Sequence, residues 1–340
     1  MNSNSLLRKK LKAMDFEKFN MLAKQIGERN NKSTLFIKVD MFFNFLKYGI
    51  GYTDYLKSDY INLTKKEKKT FLTTKNYFNL IAYLNDRRYR VLFTDKVIFN
   101  KIFNKYIKRD FIDLRHTDAK GLGEFIKGKE TVFCKAVDDF GGHNMSKIVV
   151  AEENDLQKLY DRLCEKGQYL IEDTIIEHKD VSRLNPYAVN SFRIVTLLND
   201  GKVHILNNAL RINLDTEVSI GCSDAYMKLN EDGTGTTPFV DDIANVYKTH
   251  PLTGEDLTNV KVPFVKEAFE MVKEAALLVP QIRYVGWDIA FTENGPVLVE
   301  GNEYPSYGLV QYYLLSDNPK KGHLGQIADI LGDEMKDIKL

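Results

Sequence analysis

The run YVGWDIAFTENGPVLVEGN (284–302) sets Asp288, Glu300 and Asn302 inside two stretches that are otherwise apolar. Period-two alternation along VLVEGN puts Glu300 and Asn302 on one face of a strand. A turn at Glu293-Asn294-Gly295 then brings Asp288 roughly opposite Glu300. Two carboxylates and an amide oxygen meeting in an apolar setting are unfavourable without a cation. Three hard oxygen donors suit Mg²⁺, which keeps water and phosphate oxygens in its other positions. A polar hairpin face that carries acids for no chemical reason is the plain alternative, and the apolar neighbours argue against it. A second feature lies upstream. Lys135 interrupts the strand-like TVFCKAV (131–137), and the loop DDFGGHNM (138–145) follows it. Gly141 and Gly142 let backbone N–H groups approach anionic oxygens with no Cβ in the way. Strand, glycine loop and strand would make a lid over phosphates, although a glycine pair is also common in plain hairpin turns. The strand–loop–helix phosphate motif GxxxxGK[ST] does not occur.

The elements that must hold these residues can be read from the periodicity. Leu6, Leu7, Leu11, Met14, Phe19, Leu22 and Ile26 recur at helical spacing up to GERNNKS. LFIKVDMFFNFLKYGIGYTDYLKSDY predicts another helix with a glycine-containing bend, and NYFNLIAYLNDRRYRVLF a further one. Past residue 96 the helical VIFNKIFNKYI gives way to short β-branched runs at 131–137, 146–152 and 168–176. Between the last two, residues 154–167 predict a helix capped by Asn154 and stopped by Gly167. SFRIVTLL-NDG-KVHILNNALRI is a hairpin, VPFVKEAFEMVKEAALLVP (262–280) an amphipathic helix, and 284–302 a second hairpin. Helices mixed with antiparallel hairpins predict an α+β fold.

The chain has 340 residues, 48 Lys+Arg and 47 Asp+Glu, for a formal charge of +1. With 44% hydrophobic and 28% charged residues it is neither disordered nor collagen-like. No apolar run reaches the ~18 residues of a membrane span, the start has no signal-peptide core, and three scattered cysteines form neither a disulfide framework nor a zinc cluster. The cytoplasm is the expected location. The +1 hides an asymmetry: residues 1–110 carry 24 basic and 10 acidic side chains, and residues 111–340 carry 24 and 37. The basic helices, with the run KKEKKT at 65–70, are either solvated faces or a surface for an anionic partner such as a phospholipid or a polyanionic glycan.

TDK at 94–96, FCKAVDDFGGHNMSK at 133–147, LIEDTI at 170–175, VNSFRIVTL at 189–197 and GWDIAFTENGPVLVEGN at 286–302 occur in an order that resembles the ATP-grasp superfamily, in its sugar-transfer-associated branch. The likeness covers roughly residues 90–312, with a weaker extension back to about 35. It implies a nucleotide clamped between two α+β subdomains. These would be residues 96–180 and 181–340, preceded by a helical, basic region 1–95. It implies Lys96 and Lys135 on the α- and β-phosphates, and a covering loop of Gly141 and Gly142 with His143, Asn144 and Ser146. Glu172 would accept the adenine amino group, Thr174 and Ile175 would give hinge contacts, and either Glu177 or Asp180 would hold the ribose. Arg193 and Arg211 would face the γ-phosphate, with Asp288, Glu300 and Asn302 on two Mg²⁺ ions for which Mn²⁺ could substitute.

The implied chemistry is ATP-dependent joining of a carboxylate to an amine through an acyl phosphate. The branch suggests a sugar acid, free or polysaccharide-linked, and an amino acid or amine in capsule assembly. Arg193, Arg211 and Lys135 would be the catalytic cations, with Asp224, Glu303 or the substrate itself as general base. A hydroxyl kinase on the same clamp and a degenerate scaffold are the alternatives; nucleic acid and a membrane span are not expected among its partners. His178, His204 and His250 read as ordinary hydrogen-bonded side chains, and Trp287 and Cys134 as core. Tyr304, Ser306 and Tyr307 are equally suited to packing and to an acceptor site.

Overall fold

The computed structural model describes residues 14–137, 144–215 and 224–340. The expected phosphate loop at Gly141, Gly142 and His143 lies outside them, as does Cys222. The chain forms two compact units. Of the described residues, one unit contains 14–84, 239–246 and 306–340, and the other 85–137, 144–215, 224–238 and 247–305. This grouping differs from a division at 95/96 and 180/181, because the chain leaves the helical unit at Asn85 and returns to it twice.

In the helical unit, Asp15 caps the helix Phe16–Arg29 by accepting the Lys18 N–H at 2.9 Å. The next helix, Thr34–Tyr48, is capped by Ser33 and ended by Gly49 at φ +75°. A Cβ-bearing residue is strained in that left-handed conformation, so the expected bent helix is two helices, the second being Tyr52–Lys57. Leu22, Ile26, Ile37, Met41, Tyr55, Tyr60 and Phe71 form the core beneath them. The run KKEKKT contains a short helix, Lys65–Lys68, opened by a Thr64–Glu67 capping box. Residues far apart in sequence close this unit. The Gln311 amide bonds both backbone groups of Leu72 (2.9 and 2.7 Å), and Lys57 pairs with Asp242 at 2.6 Å. The helix expected over NYFNLIAYLNDRRYRVLF stops at Leu84. Asp86 caps a new turn by accepting the Arg88 N–H, and helix resumes only at Val91–Thr94.

The strands, in chain order, are β1 (Phe111–Asp113), β2 (Thr131–Lys135), β3 (Met145–Val149), β4 (Leu170–Asp173), β5 (Ser191–Asn199), β6 (Lys202–Asn213), β7 (Asp224–Met227), β8 (Phe239–Asp241), β9 (Val246–Tyr247), β10 (Tyr284–Thr292) and β11 (Gly295–Asn302). The second unit holds a four-stranded sheet ordered β1-β4-β2-β3 and, in a larger sheet, the antiparallel series β11-β10-β5-β6-β7. The helix Leu156–Glu165 is capped by Asp155, one residue past the expected Asn154; its carboxylate accepts the Lys158 N–H at 3.1 Å. β4 ends at Asp173, so Thr174 and Ile175 lie in the connection after it rather than in a strand. Helix Val265–Leu278 packs on β5 and its neighbours, with Phe269 against Phe192. No helix among the described residues is long and apolar enough to cross a membrane.

Candidate active site

One face of the larger sheet carries the polar residues in register. Glu300 pairs with Asp288 across β11 and β10, and Asp288 with Arg193 across β10 and β5. Arg193 stands opposite Ala209, two residues before Arg211, and Asp224 stands opposite Asn213. Side chains directly opposite, or two apart, share a face. Asp224, Arg211, Arg193, Asp288, Glu300 and Asn302 therefore project from the same side. The other side carries Phe192, Ile194, Trp287 and Ile289, all fully buried. Trp287 meets Phe93 and Phe103 and donates its indole N–H to Thr196 Oγ1 at 2.9 Å. It is core, as expected.

Two glycines leave room for this arrangement. A Cβ on Gly301, between Glu300 and Asn302, would lie 2.8 Å from the Phe99 ring and 3.0 Å from that of Phe93. A Cβ on Gly286 would lie 3.0 Å from Nη1 of Arg193.

Arg193 grips Asp288 bidentately, with Nε to Oδ1 at 2.5 Å and Nη2 to Oδ2 at 2.7 Å. Although burial disfavours its charge, the carboxylate beside it holds the guanidinium pKa above its ordinary value. Among the described residues Glu300 has no cation at bonding distance; its Oε1 accepts the Asn302 amide at 3.2 Å, and the same Nδ2 reaches Asp288 Oδ2 at 3.2 Å. Burial first, and then the charge of Asp288, raise the Glu300 carboxyl above the usual carboxylate range. A divalent cation fits this deficit. Glu300 and Asp288 would hold it, and Asn302 would join through Oδ1 with its amide turned over. Among the described residues no group of three His, Cys, Asp or Glu can bind a metal by itself; two carboxylates and an amide leave positions for water and phosphate oxygens. Arg211 pairs with Asp224 (Nε to Oδ2, 2.9 Å), and Glu303 is buried against Arg90 at 3.0 Å. Both general-base candidates thus lie in ion pairs.

The smaller sheet holds a second cluster. Phe133 pairs with Glu172, so Lys135 and Glu172 share a face, and Lys135 Nζ contacts Glu172 Oε1. Oε2 receives Arg109 at 3.0 Å and Asn100 at 3.3 Å. Burial opposes the charge on Glu172, but Lys135 and Arg109 outweigh it and hold the carboxyl below its ordinary value. Arg109 also donates to the backbone oxygen of Leu298 at 2.8 Å. It ties Glu172 to β11, two residues before Glu300. Sequence reasoning missed Arg109, which lies in a run of basic residues, Lys101, Lys105 and Lys108, that looks like a solvated face.

The remaining candidates are dispersed. Lys96 opens the helix Lys96–Ile102, capped by Asp95, and its N–H bonds Val137 O at 3.0 Å. Asn144 donates to Lys166 O at 2.5 Å and Ser146 to Gln168 at 3.0 Å. Thr174 accepts from Thr131 at 2.9 Å, and Ile175 is half-buried. Glu177 accepts from Asn190 N at 2.9 Å and Nδ2 at 3.1 Å, and burial pushes its carboxyl up to about 8. Asp180 is exposed on an open cleft of 560 Å³ that contains no member of either cluster. His250 is buried on Asn213 O at 2.9 Å, as an ordinary structural histidine would be. Cys134 is buried in the core on the opposite face from Lys135. Tyr307 belongs to the helical unit, against Asp54 and Thr74.

Residues 76–314 match the model of the sugar-transfer associated ATP-grasp family. No curated protein matches. Among solved structures, N5-carboxyaminoimidazole ribonucleotide synthetase bound to ADP is similar at 10% identity and TM-score 0.42, covering 70% of this chain and 51% of its own. The ATP-grasp ligase PsnB with a minimal precursor is similar at 14% and 0.43, covering 73% and 62%. D-alanyl-alanine synthetase A from Vibrio cholerae is similar at 10% and 0.38, covering 63% and 56%. The chain thus spans about half to three-fifths of these proteins' length. The α+β architecture, with its two antiparallel sheets, agrees with the family model. This chain belongs to the sugar-transfer associated ATP-grasp family.

Proposed function

We propose that the protein is an ATP-dependent carboxylate–amine ligase that works through an acyl phosphate. The single observation that carries this reading is the polar row on one sheet face: Arg193, Asp288 and Glu300 in register, with Arg211 two residues along on β6 and Asn302 beside Glu300. A carboxylate oxygen of the acceptor attacks the γ-phosphorus of ATP, the bond to the β-phosphate oxygen breaks, and ADP leaves. An amine then attacks the acyl carbon and expels phosphate as it loses a proton. Phosphoryl transfer needs positioning and charge neutralisation more than covalent help. Arg193 and Arg211 supply fixed positive charge, and the carboxylates beside them keep both guanidinium groups oriented. Asp288, Glu300 and Asn302 would hold Mg²⁺, which would supply neutralisation of phosphate charge. Lys96 and Lys135 take the α- and β-phosphates, and Gly141, Gly142, His143, Asn144 and Ser146 cover them.

In this reading Glu172 accepts the adenine amino group while Lys135 turns from it toward phosphate. Thr174 and Ile175 line the adenine, and Glu177 or Asp180 holds the ribose. The carboxylate in this reading is a sugar acid, joined to an amino acid or amine in surface-polysaccharide assembly; the family's association with sugar transfer favours a sugar substrate.

The test is ADP release across sugar acids crossed with amino acids and small amines. Release only when both partners are present is expected. A stable phosphorylated product without amine would replace the ligase with a kinase. Unchanged biological activity in Asp288→Asn with Glu300→Gln would remove catalysis altogether.

A further inference from the structure

The helix Thr34–Tyr48 buries one face and exposes an equally apolar one. Ile37, Met41 and Asn44 point into the core. Leu35, Phe36, Val39, Phe42, Phe43 and Leu46 are each between 46 and 72% exposed. At roughly 100° per residue these six fall within an arc of about 120°. A water-facing helix carries charges on that arc; this one carries three phenylalanines and no charge. Such a surface marks an interaction site.

Charge at the rim identifies the occupant. Lys38 lies at one edge of the stripe and Lys47 at the other, and Lys32, just before the helix, sits over the Phe36 ring at 4.9 Å. The only acid on the helix, Asp40, is turned away, bonded to Asn44 at 2.8 Å and to the Tyr55 hydroxyl. A second copy of the chain would meet the stripe with the same lysines and offer no acid of this helix to pair with them. An anionic lipid surface meets both demands, with acyl chains for the stripe and headgroups for the lysines. At ~1.5 Å per residue the 15-residue helix is about 22 Å long, short of the ~30 Å hydrocarbon core, so it would lie along the surface rather than across it. We infer that this helix docks the protein on an anionic membrane through the Leu35–Leu46 stripe. The inference stands independently of the ligase reading.

Co-sedimentation of the full chain with vesicles of mixed phosphatidylglycerol and phosphatidylcholine tests it. The wild-type protein is expected to pellet with them, weakly with phosphatidylcholine alone and less as salt is raised. The combined variant F36S/F42S/F43S is expected to lose about tenfold in partitioning, with an unchanged melting curve because the three rings are exposed. Leu35→Asn with Leu46→Asn, at the two ends of the stripe, provides a second variant. Lys38→Gln with Lys47→Gln is expected to weaken binding to the anionic vesicles only. No pelleting of the wild type, or equal pelleting of both apolar variants, would overturn the proposal. So would a lipid-free dimer, seen by sedimentation velocity, that the phenylalanine variant abolishes.

Discussion

Arg193 neutralises Asp288, and among the described residues no side-chain cation is bonded to Glu300. Arg193→Met leaves a buried carboxylate without its partner, which costs about 3–5 kcal/mol. The same change frees both oxygens of Asp288. Added Mg²⁺ is therefore expected to raise the melting temperature of the variant more than that of the wild type, while ADP release falls at least a hundredfold. Equal Mg²⁺ responses would show that the guanidinium and the ion do not compete for this carboxylate. Glu172 poses the converse case, one buried carboxylate serving two cations. Glu172→Gln leaves Lys135 and Arg109 without it, and a loss of about 3–5 kcal/mol is expected in denaturant unfolding. Asp288 and Arg109 also differ in legibility. Asp288 stands out from sequence because it interrupts an apolar strand near a short turn that fixes its partner. Arg109 does not, because its partner lies 63 residues away and the intervening topology decides which carboxylate it meets.

The hairpin β10–β11 is the element on which the site depends most. Gly301→Ala puts a methyl group against the Phe93 and Phe99 rings. The strand or the rings must shift, at about 1–3 kcal/mol. Mg²⁺ affinity, measured by calorimetry, is expected to fall several-fold, because Glu300 and Asn302 flank the displaced residue. A variant with wild-type affinity would mean that the rings alone give way. The hairpin pairing was readable because period-two alternation and a two-residue turn leave little freedom in register. Helix ends were less so. Asn154 and Asp155 are both good caps, and only the three-dimensional fit selects Asp155. The interruption at Asn85-Asp86 was hidden because the apolar spacing continues across it.

Across the molecule, one buried group in each unit carries a pH dependence of opposite sense. His323, fully buried in the helical unit, has its pKa lowered to about 4 by burial. Its contribution to stability is whole above the ordinary histidine value of ~6.5 and is lost as pH falls through about 4. Glu177, in the sheet-bearing unit, is raised to about 8. Its contribution is whole below the ordinary carboxylate range and is lost as pH rises through about 8. Hydrogen exchange resolved by segment is expected to show acid loosening the backbone around His323 and mild base loosening the backbone around Glu177. His323→Gln and Glu177→Gln should each flatten one limb alone. The composition of these units was not legible from sequence, since the return of residues 306–340 to the N-terminal helices rests on contacts such as Gln311 with Leu72.

The polar row draws neighbouring members from different strands: Glu300 from β11, Asp288 from β10, Arg193 from β5 and Arg211 from β6. A slip of one residue in any of these pairings would turn a member of the row to the opposite face. In the ligase reading proposed above, nucleotide binding then doubles as an assay of folding fidelity. Chromatography on immobilised nucleotide should retain natively registered molecules and pass misregistered ones, even where the two have equal secondary structure by circular dichroism.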